Sequence, residues 1–227
     1  MSFSPQTLDF LFLNKIHDDR QWFNERRDEY EALVLEPIRQ LVVELTPVMK
    51  EIDSEFICEP KVTKTISRIF RDTRYSVDKS IFRDSMWITF RRDKKLYNGS
   101  PEMFFEISPE GFVLGTGYYK TKPEVMTEIR QMVLSKDKIF LKANKALDKN
   151  NDFILDGEKL GKSKFEEQPE DMRKWLDLKS VCVIKKSNDF ELLFSNRLSL
   201  YLADAFRSLA PIYNLFIEAE IKVKNRM

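Results

Sequence analysis

The stretch MFFEISPEGFVLGTGYY, residues 103–119, narrows the fold more than any other part of this sequence. Two apolar, aromatic-rich runs flank Ser108-Pro109-Glu110-Gly111. Proline there suits the start of a type I turn, and glycine suits the left-handed position after it. This predicts an antiparallel hairpin. Upstream, the apolar period changes from two to three or four. Ser4-Pro5 opens a helix on which Leu8, Phe12 and Ile16 recur at helical spacing. His17-Asp18-Asp19 breaks it, and Asp18 with Gln21 resembles a capping box for a second helix carrying Trp22, Phe23, Tyr30, Leu33 and Val34. Pro37 restarts or kinks that helix, and Ile38, Leu41, Val42, Leu45 and Met49 continue its stripe.

Beyond Pro60 the β-branched residues Val62, Thr63, Thr65, Ile66 and Ile69 favour an extended strand, and MWITF reads as another. Pro123 opens a helix with Val125, Met126, Ile129, Met132 and Val133 on one side. Residues 136–169 read as polar and irregular, and LKSVCVI (178–184) as a strand. A long last helix is expected from about Asn188-Asp189, kinked or restarted at Pro211. Helices, then strands, then a mixture make an α+β chain: an N-terminal helical pair, a central mainly antiparallel sheet and a long C-terminal helix. No repeat or linker divides it, so residues 1–227 are read as one domain.

Several function classes are hard to build from these residues. His17 is the only histidine, so a Ser-His-Asp or Cys-His unit could use no other, and zinc sites of several His and Cys ligands have no material. Cys58 and Cys182 lie far apart and read as free thiols of a reducing compartment. The opening MSFSPQTLDFLFLNK lacks the basic and apolar regions of a secretory signal, and no run is long enough to span a bilayer, so a cytoplasmic location without a membrane partner is expected. Lys plus Arg total 38 against 37 Asp plus Glu, so electrostatic recognition must be local.

The local candidate is SRIFRDTRYSVDKSIFRD, residues 67–84. Arg68, Arg71 and Arg74 are three apart, Asp72 sits among them, and Lys79 and Arg83 follow. Guanidinium forks match phosphate or carboxylate bidentately, so two or three converging would hold an anion. Asp72 would orient a guanidinium or serve as a carboxylate base, and Lys79 would add a second charge. Arg20 and Arg26 are weaker candidates from the preceding helices. An internal network of Arg with Asp or Glu, fixing a loop to the helices, fits the same residues equally well. Nucleic-acid binding through RRDKK (91–95) with the cluster is a third reading, disfavoured by the near-zero net charge.

Two imitations are set aside. Gly115-Thr116-Gly117 lacks the G-K-[ST] of a phosphate loop and the third glycine of a dinucleotide fingerprint, so a bulge or close backbone packing is expected. DKNNDFILDGEK has Phe153 where a calcium loop needs glycine and Lys159 where it needs glutamate, so no metal site is expected there.

In R-I-F-R-D-T-R-Y-S-V-D-K-S-I-F, residues Arg68, Arg71, Asp72, Arg74, Tyr75 and Lys79 follow in order the signature of a conserved, mainly bacterial family, domain of unknown function 2461, which this chain resembles. Asn14, Arg20, Trp22, Phe23, Tyr30 and Pro37, the G-T-G-Y-Y stretch, the helix of Arg130 and W-L-D-L-K-S also resemble it. Phe82 stands where the family usually has tyrosine, and the usual proline-glycine turn is missing around Gly161-Lys162-Ser163. The resemblance implies a family whose role is unassigned, and no cofactor is expected. The expected partner is a small anionic ligand, with nucleic acid disfavoured and oligomeric state unread.

Overall fold

In a computed structural model of the chain, residues 2–74, 77–93 and 99–226 are described. Nine α-helices and five strands alternate irregularly along them, and the strands form one sheet in the order β1-β2-β3-β5-β4, an α+β arrangement. By its internal contacts the chain falls into two compact units. The first comprises Met1–Phe90, Phe104–Val113 and Lys186–Asp204; the second comprises Arg91–Met103, Leu114–Lys185 and Ala205–Met227.

Unit 1 begins with α1 (Pro5–His17), where Ser4 and Thr7 form a reciprocal capping box and proline takes the first helical position. The inward face of α1 is not the stripe of Leu8, Phe12 and Ile16. Thr7, Leu8, Phe10, Leu11 and Asn14 are buried, whereas Phe12 and Ile16 are exposed. Thr7 belongs inside because its hydroxyl donates to the Leu33 carbonyl, 2.8 Å away. The cap of α2 (Arg20–Glu25) is Asp19, which accepts the Trp22 N–H at 2.7 Å; the Asp18–Gln21 box does not form. Asp18 instead ends α1 in the left-handed region, φ 46°. After α3 (Arg27–Tyr30), one wide π-helical turn (Glu31–Leu35) leads into α4 (Glu36–Ile52), with Pro37 in its first turn and the Leu33 carbonyl four residues earlier accepting from the Thr7 hydroxyl. Its predicted stripe of Ile38, Leu41, Val42, Leu45 and Met49 is buried.

Residues 62–70 do not make the predicted strand but only isolated pairings, Val62 with Ile66, Ile66 with Ile88 and Phe70 with Phe82. β1 (Met86–Phe90) follows as expected. The hairpin is β2 (Glu102–Ser108) and β3 (Gly111–Gly117), and burial on β2 alternates strictly, Met103, Phe105 and Ile107 pointing in.

In unit 2, α5 (Pro123–Leu134) starts at its proline as read from the sequence. Residues 136–169 are not irregular: α6 (Lys138–Lys149) occupies twelve of them, with Asp137 capping the Ile139 N–H at 2.8 Å, and β4 (Ile154–Asp156) pairs antiparallel with β5 (Cys182–Ser187). α6 buries only Phe140, Ala143 and Leu147 among lysines, a narrow stripe that a polar run hides. α7 (Glu170–Leu176) was also unread. β5 begins four residues after Leu178.

The last helix does not start near Asn188. A short α8 (Phe190–Leu193) ends where the Ser195 hydroxyl donates to the Leu192 carbonyl at 2.8 Å, and that hydroxyl also accepts the Arg197 N–H at 3.2 Å. α9 (Leu198–Asn225) then runs through Pro211 without restarting. Among the described residues, no helix is long and apolar enough to cross a membrane.

Two side chains of unit 2 carry predictions. Arg130 donates from Nε to the Leu176 carbonyl (3.0 Å) and from Nη2 to that of Leu178 (2.5 Å), closing the end of α7. Arg130→Met is expected to cost about 2 kcal/mol, since it leaves two carbonyls short of donors; urea denaturation measures it. Glu220 is buried with Lys122 Nζ 3.5 Å from Oε1 and no partner at Oε2 among the described residues. Burial raises its carboxyl above the ordinary value, with Lys122 partly offsetting. The folded state therefore keeps this proton at pH values where the unfolded chain has released it. The stability from this group is greatest below the unfolded value, about 4.3, and declines as pH rises through the folded one. Melts between pH 4 and pH 7 should show that decline in the wild type and a smaller one in Glu220→Gln.

Candidate functional site

The arginine cluster lies wholly in unit 1 and is organised by a short ribbon. Arg71 N donates to the Ile81 carbonyl at 2.8 Å and Arg83 N to that of Ile69 at 3.0 Å, which makes Phe70 and Phe82 a non-hydrogen-bonded pair. Side chains come closest at such a pair, and the two rings are 4.9 Å apart between centroids. Phe23 packs on both, 5.5 Å from Phe70 and 5.0 Å from Phe82. Phe82 is fully buried, a core position in this chain.

The ribbon is held from α1. Asp18 Oδ1 accepts the backbone N–H of Ile81 at 2.7 Å and of Phe82 at 3.0 Å. Its left-handed backbone turns the carboxylate onto a strand edge 63 residues away in sequence.

Burial splits the cluster, since Arg71 is half-buried and Arg68 is exposed. Arg71 shares its side with buried Ile69. Its guanidinium meets Asp78 at 2.7 Å, and Lys15 Nζ lies 3.7 Å from the same carboxylate while donating to the Ser80 hydroxyl. Asp78 also accepts the Ser80 N–H (2.9 Å) and hydroxyl (2.7 Å). These two bonds, with Arg71 and Lys15 behind them, hold its carboxyl at about 2. This half of the cluster is an ion network fastening the ribbon to α1.

Arg68, Phe70 and Asp72 are each exposed. Asp72 holds Arg74 bidentately, Nε to Oδ1 at 2.9 Å and Nη2 to Oδ2 at 2.7 Å, and that pairing first of all brings its carboxyl down to about 2. Arg20 places its guanidinium carbon 6.0 Å from the Phe70 ring centre. Arg68 is exposed and makes no hydrogen bond or ion pair among the described residues; its charge is felt at Asp72. Lys79 is exposed, with Nζ 2.9 Å from the Thr73 carbonyl.

Arg26 does not join this group. It lies over Trp22, 4.6 Å from the ring centre, and pairs with Glu25 at 3.6 Å. His17 stacks on the same indole at 4.6 Å. Arg83 covers Trp87, also at 4.6 Å. Tyr75 of the signature and Lys94 and Lys95 of the RRDKK run lie outside the described residues; Arg91 of that run pairs with Glu102 at 3.5 Å. Sequence reasoning missed Lys15, Asp18 and Phe70. Nothing local marks them, because their partners are set by the ribbon's docking on α1.

The two imitations resolve into packing and surface pairs. A Cβ on Gly115 would meet the Val183 carbonyl oxygen at 2.2 Å, and one on Gly117 the Cys182 backbone at 2.5 Å, so both glycines let β3 and β5 approach closely. Tyr118 is buried with its hydroxyl donating to the Phe216 carbonyl at 2.9 Å, while Tyr119 is fully exposed. Asp148 pairs with Lys174 at 2.8 Å and Asp152 with Lys185 at 2.7 Å. No group of three or more His, Cys, Asp or Glu able to hold a metal occurs among the described residues.

The division of the cluster predicts opposite outcomes for two similar substitutions. Arg71→Ala should lower stability by about 1–2 kcal/mol, because Asp78 loses a close, half-buried partner. Arg68→Ala should stay within about 0.5 kcal/mol of the wild type. Paired thermal melts decide it.

No curated protein matches the chain. A family described as "Conserved hypothetical protein (DUF2461)" matches residues 6–215, a span that takes in α1, the ribbon, the hairpin and most of α9. The chain with its split arginine cluster belongs to that DUF2461 family.

Proposed function

We propose that the chain binds a small phosphate- or carboxylate-bearing ligand at the exposed arginines around Phe70. Arg68 and Arg20 supply the forks across Phe70, Arg74 is held in place by Asp72, and Lys79 adds a charge from the loop. One observation carries the reading: Arg68 and Arg20 are exposed and make no ion pair among the described residues, while Arg71 and Arg74 of the same cluster do. Guanidinium donors without protein acceptors are what an incoming oxyanion needs. The network of Arg71, Asp78 and Lys15 favours an architectural role for the other half, so Arg71 positions the loop and does not touch the ligand.

A melt screen of inorganic phosphate, sugar phosphates, nucleotides and small carboxylates tests this. A ligand at a hundred times its dissociation constant adds about 2.7 kcal/mol, which raises the melting temperature of a chain this size by about 5–10 °C. The expected result is protection of the wild type by one class and its loss in Arg68→Ala, whose unliganded melt is unchanged. Equal protection of both proteins, or none of either, overturns the reading.

A further inference from the structure

α1 carries an apolar surface that packing in unit 1 does not explain. Phe12 and Ile16 are 52% and 64% exposed, with Leu13 beside them at 43%. Phe12 and Ile16 stand one helical turn apart, and Lys15, three residues after Phe12, neighbours that ring on the helix surface. Lys15 is also the residue that reaches the ribbon's loop, at Asp78 and Ser80, and Val77 next to Asp78 is fully exposed. Phe70, 39% exposed, carries Arg20 over its ring. Five of the twelve large hydrophobic side chains exposed by the described residues thus belong to α1 and the ribbon. The same segments and the start of α2 present Arg20, Arg68, Arg74 and Lys79; of the acids they also expose, Asp72 is paired with Arg74, Asp78 with Arg71, and Asp19 caps α2.

Apolar side chains rimmed by cations match a surface that is greasy below and anionic at its edge. Amphipathic elements of this kind lie in the boundary between headgroups and acyl chains, while long cationic side chains reach up to the phosphates. The near-zero total charge gives no long-range pull, but only charges within a Debye length of the surface matter for docking. A second copy of the chain fits less well, because a two-fold contact would bring two patches with the same unpaired cations together. Asp9, the acid of α1 nearest this patch, lies a turn earlier, towards the helix start.

We propose that this face of unit 1 docks on an anionic phospholipid surface, with Phe12, Ile16 and Val77 entering the headgroup boundary and Arg20, Arg68 and Lys79 taking lipid phosphates. This rests on the anion-site reading and names a lipid headgroup as the source of the phosphate.

Vesicle flotation tests it, with phosphatidylcholine alone and with a phosphatidylcholine–phosphatidylglycerol mixture, alongside melts in inorganic phosphate and glycerol phosphate. The full chain is expected to float only with the mixed vesicles and to be released by salt. Arg68→Gln should weaken that binding about fivefold. Phe12→Ser with Ile16→Ser should weaken it about tenfold or more, with both variants melting like the wild type because these side chains are exposed. Soluble phosphates that protect through Arg68 without vesicle binding would overturn the lipid proposal and leave the anion site standing. Failure of both assays removes both readings. Vesicle binding untouched by the serine pair also overturns the proposal. So does a concentration-dependent dimer that the serine pair dissociates, without vesicle binding, since it makes a second copy the occupant.

Discussion

Trp175→Ala is expected to destabilise the chain by about 4 kcal/mol, lowering the melting temperature by about 10 °C. Trp175 is completely buried in unit 2. Phe140 meets it edge-on at 6.0 Å, and Phe216 lies 6.4 Å away. Its indole N–H donates to Asn144 Oδ1 at 2.9 Å, tying α7 to α6. Truncation removes a large aromatic contact surface and leaves a void that three packed elements fill only in part. Trp175→Phe separates volume from hydrogen bonding. It keeps most of the packing and strands the Asn144 carbonyl, so about 1–2 kcal/mol is expected. Urea denaturation of the pair gives the partition. A phenylalanine variant as unstable as the alanine one would mean that the hydrogen bond, not the packing, dominates.

Asp18→Ala is the second large effect, about 3 kcal/mol. Two charge-assisted bonds to the Ile81 and Phe82 N–H groups disappear together, leaving both donors without that acceptor. Alanine must also adopt the left-handed backbone of this position, φ 46°, at about 1 kcal/mol. Glycine relieves the second cost and not the first. Asparagine tolerates the conformation and retains one carbonyl oxygen. Stability should therefore fall in the order wild type, Asp18→Asn, Asp18→Gly, Asp18→Ala. Hydrogen exchange at Ile81 and Phe82 should quicken in the same order. Because Asp18 holds the ribbon without belonging to the exposed Arg68 side, its alanine variant should also weaken any phosphate protection. An unchanged exchange rate at those two amides would refute the pinning role.

The elements legible in the sequence are those whose signals are local. The hairpin announced itself by its turn and its flanking apolar runs. α5 announced itself by Pro123, and α4 by a stripe that is indeed buried. α6 escaped because only Phe140, Ala143 and Leu147 face inward and lysines fill the rest. The face of α1 was misread for a different reason. Apolar spacing selected Phe12 and Ile16, but Thr7 and Asn14 are the residues turned in, Thr7 because a carbonyl from a later helical turn meets its hydroxyl. Hydrophobicity alone cannot report which side of a helix has a partner.

The cluster shows the same boundary. That positive charge is concentrated at Arg68, Arg71 and Arg74, with Asp72 close enough to pair with one of them, was determined by the sequence, since a spacing of two or three residues constrains what can meet. Which arginine turns inward was not. That choice was made when residues 69–71 paired with 81–83 and Asp18 caught the returning limb, because those contacts bring Arg71 within reach of Asp78 and leave Arg68 in solvent. Tertiary docking thus sent Arg71 to Asp78 and Lys15 and left Arg68 and Arg20 outward across Phe70. Composition and spacing specify the charges and the local turns, and only the long-range pairing of α1 with the ribbon distinguishes the arginine that fastens from the arginine that can receive.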